Sequence, residues 1–384
     1  MKLFFASLAR AVRLWLEAFV APWTEGRSPA GSLLVVVLWP LFCGLQLLHW
    51  IGFALDEVFF RGWRRIEVRQ PLFVLGPPRS GTTHLPHVVS LDEQTTTFRT
   101  WVCLFGLSVT ERLLGRPFGR VGAWFARRFL AGMEDVHPFA LDAPEEDFLA
   151  LMPAMQCFIL IVAFPRAEWL WRTARLDQSV GQDERESIMR FYRACVQKHM
   201  YVLGRDKRFL SKNASFSGMA EALMQTFPDA RIMSTTRDPK KTVPSQLSSI
   251  EPGLAAVGFR RVPVDLRDRL VDQLLFYYLH LEQLARRHPD RIVVIDNDTL
   301  RDDLEKVVEA SYRRLGLAMS GQFSEALELA GRRSRGFASG HEYTLEEYGL
   351  SEAMIEQQFE AVYRQRGFGR AAGEPVAQGA GPGA

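Results

Sequence analysis

Phe73-Val74-Leu75-Gly76-Pro77-Pro78-Arg79-Ser80-Gly81-Thr82-Thr83-His84-Leu85 carries an apolar strand directly into a glycine- and hydroxyl-rich turn and then into the start of a helix. Such a junction builds an anion cradle. Glycine lets the N–H groups of the turn crowd a ligand, the helix start adds partial positive charge, and the hydroxyls supply further donors. A phosphate or phosphosulfate group is the expected guest. The spacing from Gly76 to Gly81 matches a Walker A loop, Gly-x-x-x-x-Gly-Lys-Ser/Thr, but Thr82 stands in place of the lysine and Arg79 is the only cation within the loop. That lysine is what reaches the β- and γ-phosphates of ATP, so its absence turns the reading away from kinases and ATPases. A turn of this composition that binds nothing is the plain alternative.

Two further segments support a ligand. Arg231-Ile232-Met233-Ser234-Thr235-Thr236 reads as a buried strand closed by Arg237-Asp238-Pro239, with a helix following. Arg237 thus sits at the C-terminal edge of a strand, where open α/β sheets gather ligands, and Ser245 lies two turns further on. An arginine grips phosphate bidentately, whereas lysine acts as a point charge. Between the two motifs, Arg208-Phe209-Leu210-Ser211-Lys212-Asn213 reads as a short strand ending in a lysine.

In this order the three motifs resemble those of the sulfotransferases that use 3′-phosphoadenylyl sulfate (PAPS), above all the large bacterial group, with spacing similar to the tyrosylprotein sulfotransferases. The resemblance implies that Arg79, Ser80, Gly81, Thr82 and Thr83 hold the 5′-phosphosulfate, and that Arg237 and Ser245 bind the 3′-phosphate. It also implies that Lys212 faces the transferring sulfuryl group, although the usual Lys-Ser-Pro or Lys-Asp-Pro is here Lys212-Asn213-Ala214. Near the C-terminus, Gly331-Arg332-Arg333-Ser334-Arg335-Gly336 resembles the basic segment that closes over the 3′-phosphate, which adds Arg333; a solvated basic loop is the alternative reading. The segment from Leu345 to Leu350 and the helix after it resemble the ending of the bacterial group, so the likeness spans roughly residues 70–368. PAPS is the implied donor, and the scheme requires no metal.

A general base must take the acceptor's proton if transfer is base-assisted. His137-Pro138-Phe139-Ala140-Leu141-Asp142-Ala143-Pro144-Glu145-Glu146-Asp147 is the segment to search. Pro144 followed by acids reads first as a helix start, where carboxylates suit the dipole. Ala-Pro-Glu-Glu also recurs in the bacterial group, which makes Glu146, Glu145 and His137 the candidates, with Asp92 and Glu93 as outsiders. The tyrosylprotein-type glutamate, about 21 residues after the loop arginine, falls here on Thr100 and does not carry over.

The 384 residues, 47% of them hydrophobic, accommodate one α/β unit of ~250 residues with appendages. A net charge of +3 with scattered basic residues argues against nucleic acid. Cys43, Cys103, Cys157 and Cys195 lack Cys-x-x-Cys spacing and suggest reduced thiols in a cytosolic setting, and no His-Glu-x-x-His or comparable zinc motif occurs.

The N-terminus departs from a plain soluble enzyme. Residues 31–55 carry no charge, long enough for the ~30 Å hydrocarbon layer, with Pro40 and Gly44 as possible kinks and Gln46 and His49 as polar handles. Phe4 to Val20, with Arg10, Arg13 and Glu17 among Leu, Phe and Trp, has the pattern of an amphipathic surface helix. Arg61, Arg64 and Arg65 follow, so basic residues flank the run on both sides and no positive-inside asymmetry appears. The expectation is a monotopic or re-entrant anchor within residues 1–60, with both ends and the catalytic domain on the cytoplasmic face. A hairpin packed on the catalytic domain, or lining its acceptor pocket, is the alternative.

Strands are expected near 72–76, 208–211, 231–236 and 291–296, and helices near 183–203, 217–227, 264–287, 302–315 and 351–366. Short apolar strands separated by helices define an α/β fold, a P-loop-like parallel sheet flanked by helices. The expected organisation is a hydrophobic N-terminal segment 1–68, a sulfotransferase domain 69–368 with a helical cap over the acceptor in 98–180, and a disordered tail 369–384. The expected function is sulfuryl transfer from PAPS to a hydroxyl, with an amine as the lesser option, of a small molecule or lipid. A P-loop kinase, with Asp296 as its magnesium-binding acid, and a non-catalytic membrane-associated nucleotide-binding module are the rivals. Neither the acceptor nor the oligomeric state is readable from the residues.

Overall fold

The structure, a computed structural model, describes residues 2–114, 143–334 and 343–368. His137 and the tail 369–384 lie outside the described residues. Five strands, Leu72–Leu75 (β1), Thr95–Thr97 (β2), Arg208–Lys212 (β3), Arg231–Thr236 (β4) and Ile292–Asp296 (β5), form one parallel sheet in the order β2-β3-β1-β4-β5. β1 is the central strand and all four of its residues are buried. Its successive side chains enter opposite cores. Phe73 and Leu75 join Phe209 and Ile232 on one face, while Leu72 and Val74 join Leu210 and Met233 on the other. A strand covered on both sides must be apolar throughout, which is why the run ahead of Gly76 was legible.

The expected strands are present within a residue or so, and the helices Gln182–Leu203 and Val264–Arg287 fall where their periodicity placed them. Four details differ, the first being that the helix expected over 351–366 is two, Glu352–Gln358 and Glu360–Arg366. The helix expected over 302–315 is two, Asn297–Asp302 and Leu304–Arg314, because the Asp303 side chain accepts from Lys306 N and caps a new start. Residues 217–227 begin as a 3-10 turn, Ala214–Met219, before the helix Ala220–Thr226. β2 was not expected at all. It is three threonines at the sheet edge, too short and too polar for an apolar pattern to reveal.

The N-terminal residues form two helices, Lys2–Thr24 (α1) and Pro29–Phe59 (α2). The Ser28 side chain caps α2 by accepting from Gly31 N, and the helix runs unbroken through Pro40. The indole N–H groups of Trp39 and Trp15 donate to the carbonyls of Ala11 and Val36, both at 2.9 Å, and tie the pair together. By length and composition α2 suffices to cross a membrane. One face nevertheless packs on the α/β domain, as the alternative reading required, and this face carries the polar residues: Gln46, His49 and Asp56 are all buried. Trp50 donates to the Pro153 carbonyl at 3.0 Å, placing the hairpin against the turn Asp147–Ala154.

Asp56 is the latch. It accepts from Val109 N, Thr110 N and Thr110 Oγ1 at 2.8–2.9 Å and pairs with Lys198 Nζ at 2.7 Å, and Lys198 in turn lies 4.3 Å from the Trp63 ring. Both charges are buried, so removing one strands the other. Asp56→Asn is expected to cost about 3 kcal/mol in a urea titration, with most of it recovered in Asp56→Asn/Lys198→Met. A single variant as stable as wild type would show that the latch does not hold the hairpin.

Candidate active site

The loop leaves β1 at Gly76 and enters the short helix His84–Val89. Gly76 (φ +140°) donates to Ser217 Oγ at 3.0 Å, and a Cβ there would stand 2.4 Å from the Thr235 carbonyl oxygen. Gly81 (φ +102°) has Asn297 Oδ1 where a Cβ would be 2.6 Å away. Both glycines are therefore fixed by backbone angle and space. Arg79 itself adopts φ +67°, a conformation that costs a non-glycine residue roughly 1–3 kcal/mol and persists only where the surroundings enforce it. Ser80 supplies part of that enforcement. Its buried hydroxyl lies 2.6 Å from the Pro77 carbonyl and 2.8 Å from Thr235 Oγ1, tying the loop to β4. Thr82 is buried and Thr83 exposed.

The strand order sets a cation on each side of this loop. On the β4 side, Arg237 donates to the Arg79 carbonyl at 3.2 Å, and Arg79 Nε donates to Ser245 Oγ at 3.1 Å. Three residues singled out separately from the sequence thus meet. Tyr278 OH donates to the Arg237 carbonyl, and Asp238 caps the helix Pro239–Ala256 by accepting from Lys240 N at 2.9 Å, which orients Ser245. Burial, then the charges of Arg301 and Arg79, lower the Arg237 pKa against the opposing pull of Asp298. A guanidinium keeps its proton regardless. Arg237 Nε is buried and makes no hydrogen bond among the described residues, which fits an anionic partner.

On the β3 side, Val74 pairs in register with Lys212, whose Nζ donates to the Pro144 carbonyl at 3.4 Å. The residues flanking Lys212 are pinned by one buried carboxylate: Asp147 accepts from Ser211 Oγ at 2.9 Å, from Asn213 Nδ2 at 3.0 Å and from Tyr192 OH. The Asn213 that breaks the usual Lys-Ser-Pro pattern is used to bind Asp147, and its N–H donates to the Val74 carbonyl at 3.0 Å. Burial pushes the Asp147 carboxyl up to about 7, with its three donors pulling it back down.

Glu146 forms a parallel bridge with Lys212. Burial raises its carboxyl to about 7, with Lys212 and Arg79 lowering it and Glu145 and Asp147 raising it. Part of the residue is open to solvent, and its carboxylate accepts no hydrogen bond among the described residues. Glu145 differs. It accepts from Thr100 Oγ1 at 3.0 Å and from Glu146 N at 2.9 Å, so it braces the segment that presents its neighbour. Thr100, at the position where a glutamate was sought, is thus the residue that holds a carboxylate supplied from elsewhere in the chain.

Asp92 is buried within hydrogen-bond reach of Tyr312 and Gln94 N, as a structural group. Arg333 lies exposed in the last turn of the helix Gly321–Ser334, so the expected basic turn is helical at least to Ser334, and no bond joins Arg333 to the loop among the described residues. The sequence reading missed His87, on the helix after the loop, whose pKa is lowered first by burial and then by the charge of Lys212. It also missed Asp147, hidden among acids that look like a helix start. Asp296 accepts from Asp298 N and Thr299 N as a helix cap, which commits the carboxylate that a P-loop kinase would need for magnesium.

The chain belongs to the sulfotransferase family, whose sequence model matches residues 71–321. It is 25% identical over 320 residues to the omega-hydroxy-beta-dihydromenaquinone-9 sulfotransferases Stf3 of Mycobacterium bovis and Mycobacterium tuberculosis, an overlap of 80% of this chain and 77% of theirs. Its fold matches the sulfotransferases STF9 of Mycobacterium avium (TM-score 0.74, 18% identity, 95% of each chain) and STF1 of Mycobacterium tuberculosis (TM-score 0.70, 19% identity, 94% of this chain and 93% of that one).

Both carboxyls, half-buried Glu146 and buried Asp147, have folded pKa values above their ordinary ones. The stability they contribute is therefore full at about pH 4 and is lost as pH rises through about 7. Urea titrations at pH 5 and pH 8 are expected to show a loss on the order of 2 kcal/mol in wild type that shrinks in Glu146→Gln/Asp147→Asn. An equal loss in both proteins would contradict this assignment.

Proposed function

We propose that this sulfotransferase takes the sulfuryl group of PAPS and transfers it to the hydroxyl of a lipid or other apolar alcohol at the cytoplasmic face of a membrane. The observation that carries the reading is the meeting of Arg79, Arg237 and Ser245 on one side of the glycine loop, with Lys212 and Glu146 on the other. The loop N–H groups and Arg79 would receive the 5′-phosphosulfate. Arg237 and Ser245 would receive the 3′-phosphate, with Arg333 assigned as a further contact.

Transfer is in line. The acceptor oxygen bonds to sulfur as the bond from sulfur to the 5′-phosphate oxygen breaks, and 3′,5′-adenosine bisphosphate (PAP) departs with the bonding pair. By analogy with phosphoryl transfer the transition state is loose, so negative charge gathers on the bridging oxygen. Lys212 and Arg79 stabilise that charge, and Glu146 takes the acceptor proton. No step requires a metal. A lipid acceptor is supported by the names of the mycobacterial relatives, which specify a hydroxylated dihydromenaquinone. The hairpin supports it as well, since it packs on the turn Asp147–Ala154 that directly follows Glu146. Covering the acceptor is assigned to the rest of segment 98–180, of which residues 115–142 lie outside the described residues.

Arg79→Ala and Lys212→Ala are expected to lower turnover by ~10²–10³, a larger effect than on PAP affinity. Arg237→Ala should weaken PAP binding by about tenfold or more, as the loss of a charge-assisted hydrogen bond implies. Unchanged PAP affinity in the Arg237 variant would contradict the site map. The pH profile of kcat/KM for the acceptor should rise with an apparent pKa of about 7 and lose that limb in Glu146→Gln; a limb that survives would pass the role of base to His87.

A further inference from the structure

In a water-soluble helix the large apolar side chains face inward and the small or polar ones outward. The outer faces of α1 and α2 break this rule. The buried stripe of α1 is Ser7, Ala11, Leu14, Ala18 and Ala21, and the exposed one is Phe5, Leu8, Val12, Leu16, Phe19 and Trp23, repeating every three or four residues. α2 buries Gln46, His49 and Asp56 beside Val35, Trp39 and Phe53, while Leu34, Val37, Leu41, Leu48, Ile51 and Phe59 face away from the protein. Trp23 is 82% exposed and Leu41 75%. The two outward stripes belong to helices that pack along each other, so together they form an apolar plate. Its medium must be less polar than the protein it backs onto.

The C-terminal end of the plate meets a groove of opposite character. Phe59 closes the stripe, the 3-10 turn Arg61–Arg65 follows, and Arg65 opens a groove of about 520 Å³ at the N-terminal edge of β2 and β3, away from the glycine loop. Arg65, Arg69, Arg205, Lys207 and Arg208 line it against two carboxylates, Glu67 and Asp206. Glu67 is paired with Arg69 at 2.7 Å, and Arg208 keeps two buried guanidinium nitrogens without hydrogen-bond partners among the described residues.

We propose that the hairpin lies in the plane of one leaflet of an anionic membrane, with its apolar plate among the acyl chains and the Arg65–Arg208 groove holding lipid phosphate headgroups. This inference rests on the lipid reading of the acceptor and adds how the chain docks and which lipids recruit it. A plate latched to the domain through Asp56 and Lys198 cannot turn upright to span the bilayer without breaking that buried pair. A helix whose apolar face sinks into the headgroup boundary needs no such turn, and each nearby basic residue adds attraction to anionic lipid.

Flotation of the full chain with phosphatidylcholine vesicles, with and without phosphatidylglycerol, tests both parts. Val37→Asp/Leu41→Asp should abolish flotation on either vesicle. Arg205→Glu/Lys207→Glu should lower partition onto phosphatidylglycerol vesicles by about tenfold or more and leave the neutral vesicles unaffected. Lipids brominated near the headgroup should quench tryptophan emission more than lipids brominated near the bilayer centre, and the difference should fall in Trp15→Phe/Trp23→Phe. Unchanged urea midpoints show that the variants fold, independently of any donor binding. Stronger quenching from the bilayer centre, flotation of the aspartate variant, or sedimentation as a dimer that no longer binds vesicles would overturn the plate. Undiminished partition of the glutamate variant onto anionic vesicles would overturn the groove.

Discussion

The site depends on the register of β1 with its two neighbours. Val74 opposite Lys212 and Leu75 opposite Ser234 bring the ends of β3 and β4 level with the start of the glycine loop, so the lysine and Arg237 stand on either side of it. Because alternate residues of a strand face opposite layers, a slip of one position in either pairing would also turn the adjoining core residues to the wrong face. The apolar side chains of β1 are buried on both faces, so packing the core and aligning the cations are one event. Each cation is then fixed locally: Lys212 by Asp147 through its two neighbours, Arg237 by Tyr278 and by the carbonyl of Arg79.

Much of this was legible in the residues because the chemistry is local. The loop, the strand ending in Arg237 and the strand ending in Lys212 each announce themselves within a dozen positions. Their convergence follows from the parallel α/β plan. The roles of the acids were not legible. Glu145, Glu146 and Asp147 are consecutive and chemically alike, and only tertiary contacts divide them into a brace bonded to Thr100, a half-buried candidate base and a buried anchor for Ser211 and Asn213. β2 escaped for the opposite reason, since three threonines at an edge owe their pairing to β3 and to nothing in their own pattern.

The N-terminal run was ambiguous between an anchor and a packed hairpin because hydropathy counts residues without saying which way they face. The packing sets one face of these helices against the protein and leaves an apolar face outside it, and the proposed anchor rests on that outer face. Polar residues that looked like handles for a membrane interface, Gln46 and His49, are turned into the protein. Many of the apolar residues are left outside, Leu41 and Trp23 among them. Through Trp50 and Pro153 this hairpin touches the turn that carries Asp147, which links the outer face of the molecule to the chemistry by one short path.

On the proposed reading, Arg237 with Ser245 selects a 3′-phosphorylated nucleotide. Calorimetric titration of the full chain with PAP, with 5′-AMP and with magnesium–ATP tests it most directly. The account predicts tight binding of PAP, binding of 5′-AMP weaker by about tenfold or more for want of the 3′-phosphate on Arg237 and Ser245, and no preference for magnesium–ATP. Tighter binding of magnesium–ATP than of PAP, or equal binding of PAP and 5′-AMP, would contradict it.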